Sequence, residues 1–152
     1  MTKYLLDTNV ALRLSNPSDE QYNLATEAVF CLLNRADECF LAAQVLIEFW
    51  VVATRPIEVN GLGWTTEKTK SVIDQLLDRF PLLEESPPIF LNWLDLVTTN
   101  KIKGKHTHDA RLIALMITQK VSRILTFNPR DFAFISSITV VTPQELVITE
   151  IN

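Results

Sequence analysis

Acidic side chains in four separate segments of this chain stand where they can do chemistry together. The run Lys3-Tyr4-Leu5-Leu6-Asp7-Thr8-Asn9-Val10 is extended and mostly apolar, ends at a carboxylate, and passes at once into a helix-starting Thr-Asn pair. A buried strand that stops at an Asp delivers a negative charge to the carboxyl edge of a sheet, where open α/β folds place ligands. The same Asp also serves as an ordinary helix cap. Glu48 lies in Gln44-Val45-Leu46-Ile47-Glu48-Phe49-Trp50, among almost wholly apolar neighbours. A charge in such a run is paired, metal-bound or turned to solvent, because burying it alone is costly. Asp109 falls in the first turn of the helix opening Thr107-His108-Asp109-Ala110-Arg111, where the helix dipole favours an anion. Finally, Thr126-Phe127-Asn128-Pro129-Arg130-Asp131-Phe132 leaves a strand and presents Asn128 and Asp131 as oxygen donors, although Asn-Pro is also a common turn signal.

Carboxylates brought close repel one another and rise in pKa unless cations neutralise them. Mg²⁺ and Mn²⁺ prefer oxygen ligands and retain waters. An acidic cluster holding one or two such ions suits hydrolysis of a phosphodiester, since the ions activate water and stabilise developing charge. No Ser-His-Asp arrangement or zinc spacing competes with this chemistry, and none of the three glycines sits between a strand and a helix as a phosphate cradle requires. His106 and His108 lack a third nitrogen or sulfur ligand for zinc.

The elements that must position these groups alternate. Strands are expected at residues 3–7, 39–42, 123–126 and 138–141, with a short fifth strand at 81–84. Helices are expected at 9–14, 20–36, 44–54, from 65 to about 80, 87–102 and 107–119. Inward stripes are Leu24, Ala28, Leu32 and Leu33; Val72, Ile73, Leu76, Leu77 and Phe80; and Phe90, Trp93, Leu94 and Val97. Strands alternating with helices give an α/β fold with a parallel sheet covered on both faces.

The 152 residues read as one domain, 1–152, and 47% hydrophobic content excludes a disordered chain. No apolar stretch reaches the roughly 18 residues of a membrane span, and Asp7 interrupts the only apolar run at the N-terminus, so a cytoplasmic location without a membrane partner is expected. Cys31 and Cys39 read as small hydrophobes rather than a disulfide or a metal pair. The net charge of −4 repels a polyanion, so a polyanionic substrate needs cations or a local basic patch to offset the repulsion. Lys101, Lys103, Lys105, His106, His108 and Arg111, around Asp109, form the candidate patch; the lysines equally suit a solvated loop after a helix. Arg13 and Arg55 read as surface residues, and Trp50, Trp64 and Trp93 as core or dimer contacts. Phe49, Trp50 and Val51 make their helix apolar around most of its circumference, which suggests a subunit interface.

On Leu5-Leu6-Asp7-Thr8-Asn9, Glu48, His108-Asp109-Ala110 and the segment from Thr126 to Phe132, the sequence resembles PIN-domain proteins, specifically the VapC-type toxin ribonucleases. The segments 54–63 and 104–106 resemble one VapC-type subgroup, and the likeness runs to about Val141. The resemblance implies a three-layer α/β/α domain around a mostly parallel, twisted sheet. It implies Asp7 and Asp109 as the main metal ligands, Glu48 as a third, direct or through water, and Thr8 or Asn9 as support for Asp7. Family members often carry an acid where Asn128 stands; Asp131 either takes over that role or only hydrogen-bonds within its turn. Also implied are Mg²⁺- or Mn²⁺-dependent cleavage of RNA (tRNA, rRNA or mRNA), homodimers, and inhibition by a small antitoxin. Lys103, Lys105, His108 and Arg111 would then contact RNA. Two other readings share the resemblance: a housekeeping RNA-processing nuclease and a catalytically silent binding module, the latter supported only by Asn128.

Overall fold

Tyr4, Leu5 and Leu6 point alternately to opposite faces of their strand, yet all are buried. A strand buried on both faces needs cover on both, which is the condition of a parallel sheet between helical layers. The computed structural model describes residues 1–151, with side chains as far as Ile148. Its sheet is formed by β1 (Lys3–Leu6), β2 (Glu38–Phe40), β3 (Arg123–Leu125) and β4 (Thr139–Val141), all parallel, in the order β2-β1-β3-β4. Seven helices surround it: α1 (Thr8–Leu14), α2 (Tyr22–Asn34), α3 (Ala43–Thr54), α4 (Thr66–Arg79), α5 (Pro88–Thr99), α6 (His106–Thr118) and α7 (Pro143–Ile151). In this three-layer α/β/α arrangement α2 packs on α7 and α5 on α6, while α1 touches α2 and α3.

The order of strands makes the site. From β1 the chain moves outward to β2, then returns across the sheet to β3 on the other side of β1. Leu5 therefore pairs with both Phe40 and Ile124. The connections diverge beyond the carboxyl ends of β1 and β3, the switch point where such sheets bind ligands. Asp7 follows β1 there, and Thr126 follows β3.

Several expectations change. The strand at 81–84 reduces to one parallel bridge, Leu82 to Leu41, flanked by the bonds Leu41 N–H to Pro81 O (2.9 Å) and Leu83 N–H to Leu41 O (2.8 Å). In α5 Phe90 and Leu94 are 60% and 44% exposed; Ile89 is buried, and Trp93 and Leu96 pack against the core. The stripe keeps helical spacing but is rotated by one residue, because α5 is apolar on more than one side and periodicity alone leaves its facing open. Leu33 and Leu77 likewise face solvent. The sequence reading stops before α7, although Thr142-Pro143-Gln144-Glu145 carries start signals: Pro at the first turn and Thr142 Oγ1 accepting from Glu145 N–H at 3.3 Å. Cys31 and Cys39 are both buried thiols, and burial pushes that of Cys39 up to about 12. Among the described residues no helix is long and apolar enough to cross a membrane.

Leu5 is fully buried at the centre of the sheet. Leu5→Ala is expected to lower the free energy of unfolding by about 2–5 kcal/mol in urea denaturation. Leu91→Ser, on the exposed side of α5, should change it by no more than about 0.5 kcal/mol.

Candidate active site

Asp7 is the hub. Only 7% of it is exposed, and it caps α1. Its Oδ1 accepts from the Thr8 N–H at 2.8 Å, and its Oδ2 accepts from the Thr126 hydroxyl at 2.8 Å and from Asn9 Nδ2 at 3.3 Å. Asn9 also donates to Thr126 Oγ1 at 3.2 Å and accepts from the Phe127 N–H at 3.0 Å. These bonds tie the end of β1 to the end of β3, residues more than a hundred positions apart in the chain. Thr126 is a site residue that its sequence position, at the end of a strand, did not mark.

The other carboxylates arrive on different elements. Glu48, on the second turn of α3, accepts from Thr8 Oγ1 at 2.8 Å and from Gln44 Nε2 at 3.3 Å. Gln44 Nε2 also donates to the His108 carbonyl at 2.9 Å, which joins α3 to the first turn of α6. The indole N–H of Trp93 donates to the Thr107 carbonyl at 2.9 Å and fixes the same turn from the α5 side. Trp93 thus positions the site as well as packing. On that turn His106 Nδ1 meets Asp109 Oδ2 at 3.1 Å. Asp131 sits in the short 3-10 turn Pro129–Phe132, its N–H bonded to the Asn128 carbonyl at 3.1 Å. One ligating atom each from His106, Asp109 and Asp131 lie within 4.8 Å of one another.

Between the two candidates on the last segment, the geometry separates Asp131 from Asn128. Asp131 is half-buried and its charge acts on Asp109. Asn128 is exposed, and its bonds among the described residues are made by its backbone, the N–H donating to Thr126 Oγ1 at 3.0 Å.

Electrostatically the site is a set of converging anions with His106 against one of them. Burial pushes the Asp7 carboxyl up to about 6, the Thr126 hydroxyl and Thr8 N–H resist, and the charges of Glu48 and Asp109 add to the rise. Burial also raises Asp109; the His106 bond opposes this, and the charges of Asp131 and Glu48 reinforce it. Among the described residues no Lys or Arg forms an ion pair with Asp7, Glu48, Asp109 or Asp131. Oxygen donors from four elements, with no Lys or Arg partner, suit a hard divalent cation.

Of the basic residues, Lys101, Lys103 and Arg130 line an open groove of about 660 Å³ with His106 and Phe134, beside the acids. Among the described residues none of these cations, nor Lys105, has an acidic partner within ion-pair distance. Arg111 instead bonds Glu85 at 2.8 Å, and the His108 side chain is exposed beside an apolar recess shared with Phe90 and Trp93. Arg13 stacks on Phe127, its guanidinium carbon 4.2 Å from the ring centre, and Arg55 donates to the Asn60 carbonyl at 3.0 Å.

Two outcomes are expected. Thr126→Val removes the donor to a buried carboxylate and the acceptor for Asn9 and Asn128; unfolding stability should fall by about 1–3 kcal/mol, and the Asp7 carboxyl should titrate higher still by NMR. The second outcome concerns pH. The folded state holds the Asp7 proton more tightly than the unfolded chain, so this group's favourable contribution is complete below 3.8 and lost as pH rises through about 6. In cation-free buffer Asp7→Asn should therefore be more stable than the parent at pH 7, by about 3 kcal/mol at most, with the gap closing towards pH 4 in urea denaturation.

The sequence matches the PIN domain family over residues 4–136. No curated protein matches it. Among solved structures the fold is similar to VapBC2 from Rickettsia felis bound to a DNA fragment from its promoter, with TM-score 0.69 and 19% identity over 93% of this chain and 98% of that one. It is similar to VapBC-1 from nontypeable Haemophilus influenzae, with TM-score 0.67 and 19% identity over 94% and 99% of the two chains. Mycobacterium tuberculosis VapC20, a sarcin-ricin loop cleaving toxin, gives TM-score 0.50 and 15% identity over 80% and 86%. At such identities the likeness is one of fold. The family match extends from β1 through the turn bearing Asp131 and so takes in all four carboxylates: the chain belongs to the PIN domain family.

Proposed function

We propose that this protein is a metal-dependent endoribonuclease, the toxin of a toxin–antitoxin pair, acting in the cytoplasm as one nuclease domain. The observation that carries the reading is the buried Asp7 carboxylate lying within electrostatic reach of Glu48 and Asp109, with no Lys or Arg among the described residues paired to any of them. Burying like charges together is costly and is offset by a bound cation. Asp7, Glu48 and Asp109 would hold Mg²⁺ or Mn²⁺, with Asp131 beside them. When bound, such a cation activates water and stabilises charge on the phosphodiester.

The chain's own groups supply orientation. The Thr8 hydroxyl and Gln44 amide hold both oxygens of Glu48, which suits that carboxylate to steering a water molecule. Asn9 and Thr126 keep Asp7 in a single pose. Lys101, Lys103 and Arg130, without acidic partners, offer phosphate contacts next to the acids in a chain that is otherwise net negative; Lys105 and His108, exposed on the same stretch, extend that surface. The antitoxin is supported by the neighbours, two of which are VapBC assemblies. Ile47, Trp50 and Val51, exposed on α3, support a covered face and a homodimer.

The purified protein should cut RNA with Mg²⁺ or Mn²⁺ and stop in EDTA. Asp7→Asn and Asp109→Asn should each reduce cleavage by at least about a hundredfold while retaining native circular dichroism. Unchanged cleavage in EDTA would overturn the reading. Lys103→Ala together with Arg130→Ala should weaken RNA binding and flatten its salt dependence, by a slope change of about 1–2 in log–log units.

A further inference from the structure

His106 opens α6, and Asp109 follows three residues later, so both side chains stand on the same face of its first turn. The ring is held from two sides. Its Nδ1 is 3.1 Å from Asp109 Oδ2, and its centroid is 5.4 Å from that of Phe134, with the planes tilted by 52°. Phe134 follows the turn that carries Asp131, so this stacking keeps the imidazole close to the second carboxylate. Asp131 has no hydrogen bond or ion pair to its carboxylate among the described residues, although the side chain is half-buried.

We propose that His106 contributes its imidazole nitrogen to the cation shared by Asp109 and Asp131, so that the site prefers a first-row transition cation such as Mn²⁺ to Mg²⁺. This rests on the metal-dependent reading above and brings Asp131, there placed beside the ion, into the ligand set together with His106. Donors about 2.1 Å from a metal lie about 3 Å apart when adjacent and about 4.2 Å apart when opposite. The 3.1 Å contact between His106 and Asp109 already has the adjacent spacing, and the whole triad lies within 4.8 Å. That span is slightly wider than opposite donors on one ion allow, so side-chain rotation would have to draw the three together. Both ions take oxygen ligands, but Mg²⁺ gives up water more reluctantly and Mn²⁺ tolerates a nitrogen donor better, so an imidazole in the ligand set shifts preference towards Mn²⁺.

The chain has only two histidines, which makes the test clean. Mn²⁺ is added to the tag-free protein, its His106→Gln variant and its His108→Gln variant, and imidazole ¹⁴N modulation of the bound Mn²⁺ is recorded by pulsed electron paramagnetic resonance. The modulation should be present in the parent, persist in His108→Gln and vanish in His106→Gln. Calorimetry on the same samples should show Mn²⁺ affinity falling about tenfold in His106→Gln, with a smaller change for Mg²⁺. Bound Mn²⁺ without imidazole modulation, or modulation that disappears only in His108→Gln, would overturn the proposal and leave an all-oxygen metal site standing. Absence of any Mn²⁺ binding by the parent would remove the metal-dependent reading together with it. Circular dichroism of the variants shows whether a lost signal reflects lost folding.

Discussion

The hydrogen bond from the Thr126 hydroxyl to the Asp7 carboxylate is the interaction on which the rest of this molecule turns. It closes the point where the chain's path across the sheet reverses, and it does so on a carboxylate that the fold has almost wholly withdrawn from water. Three hydrogen bonds favour the ionised form of Asp7, yet its pKa still ends above the ordinary carboxylate range. Desolvation and neighbouring charge therefore outweigh hydrogen bonding at this position. A protein keeps a group in that condition where the charge has another use.

From that fixed point the remaining acids are set one by one. Thr8, next in the chain, reaches Glu48 on α3. Asn9 reaches the backbone just beyond β3 and so places the segment that leads to Asp131. Asp109 comes from a helix held at its beginning by Trp93. Each tether is a single hydrogen bond, about 1 kcal/mol net where both partners are neutral and about 1.5–3 kcal/mol for Thr8 to the Glu48 carboxylate, and together they frame the acids.

How much of this was legible in the sequence depends on the range of the interaction. β1 and its terminal Asp announce themselves, because three buried apolar residues followed by a carboxylate and a helix start are a local pattern. The alternation of strands and helices is local as well, and the parallel sheet follows from it. The Asp7–Thr126 bond spans most of the chain, and no spacing rule exposes it. By sequence His106 belongs to a basic run, and a helix beginning at 107 leaves it outside the turn that carries Asp109. Starting α6 at His106 is what aligns it with Asp109. The facing of α5 is ambiguous for a related reason: in a helix with Ile89, Phe90, Leu91, Trp93 and Leu94, many stripes satisfy the same period. Only packing against α6 selects one of them.

One amide group ties the two halves of the acidic pocket into a single mechanical unit. The Nε2 of Gln44 serves the Glu48 carboxylate and the His108 carbonyl at once, so the rotamer of one acid is registered against the opening turn of another helix. A displacement that slides α6 away from α3 must either break the bond to the His108 carbonyl or draw the amide after it and away from Glu48. The registry of Glu48 with the opening turn of α6 is thereby a property of how two helices dock, beside the strand-end bonds that fix Asp7.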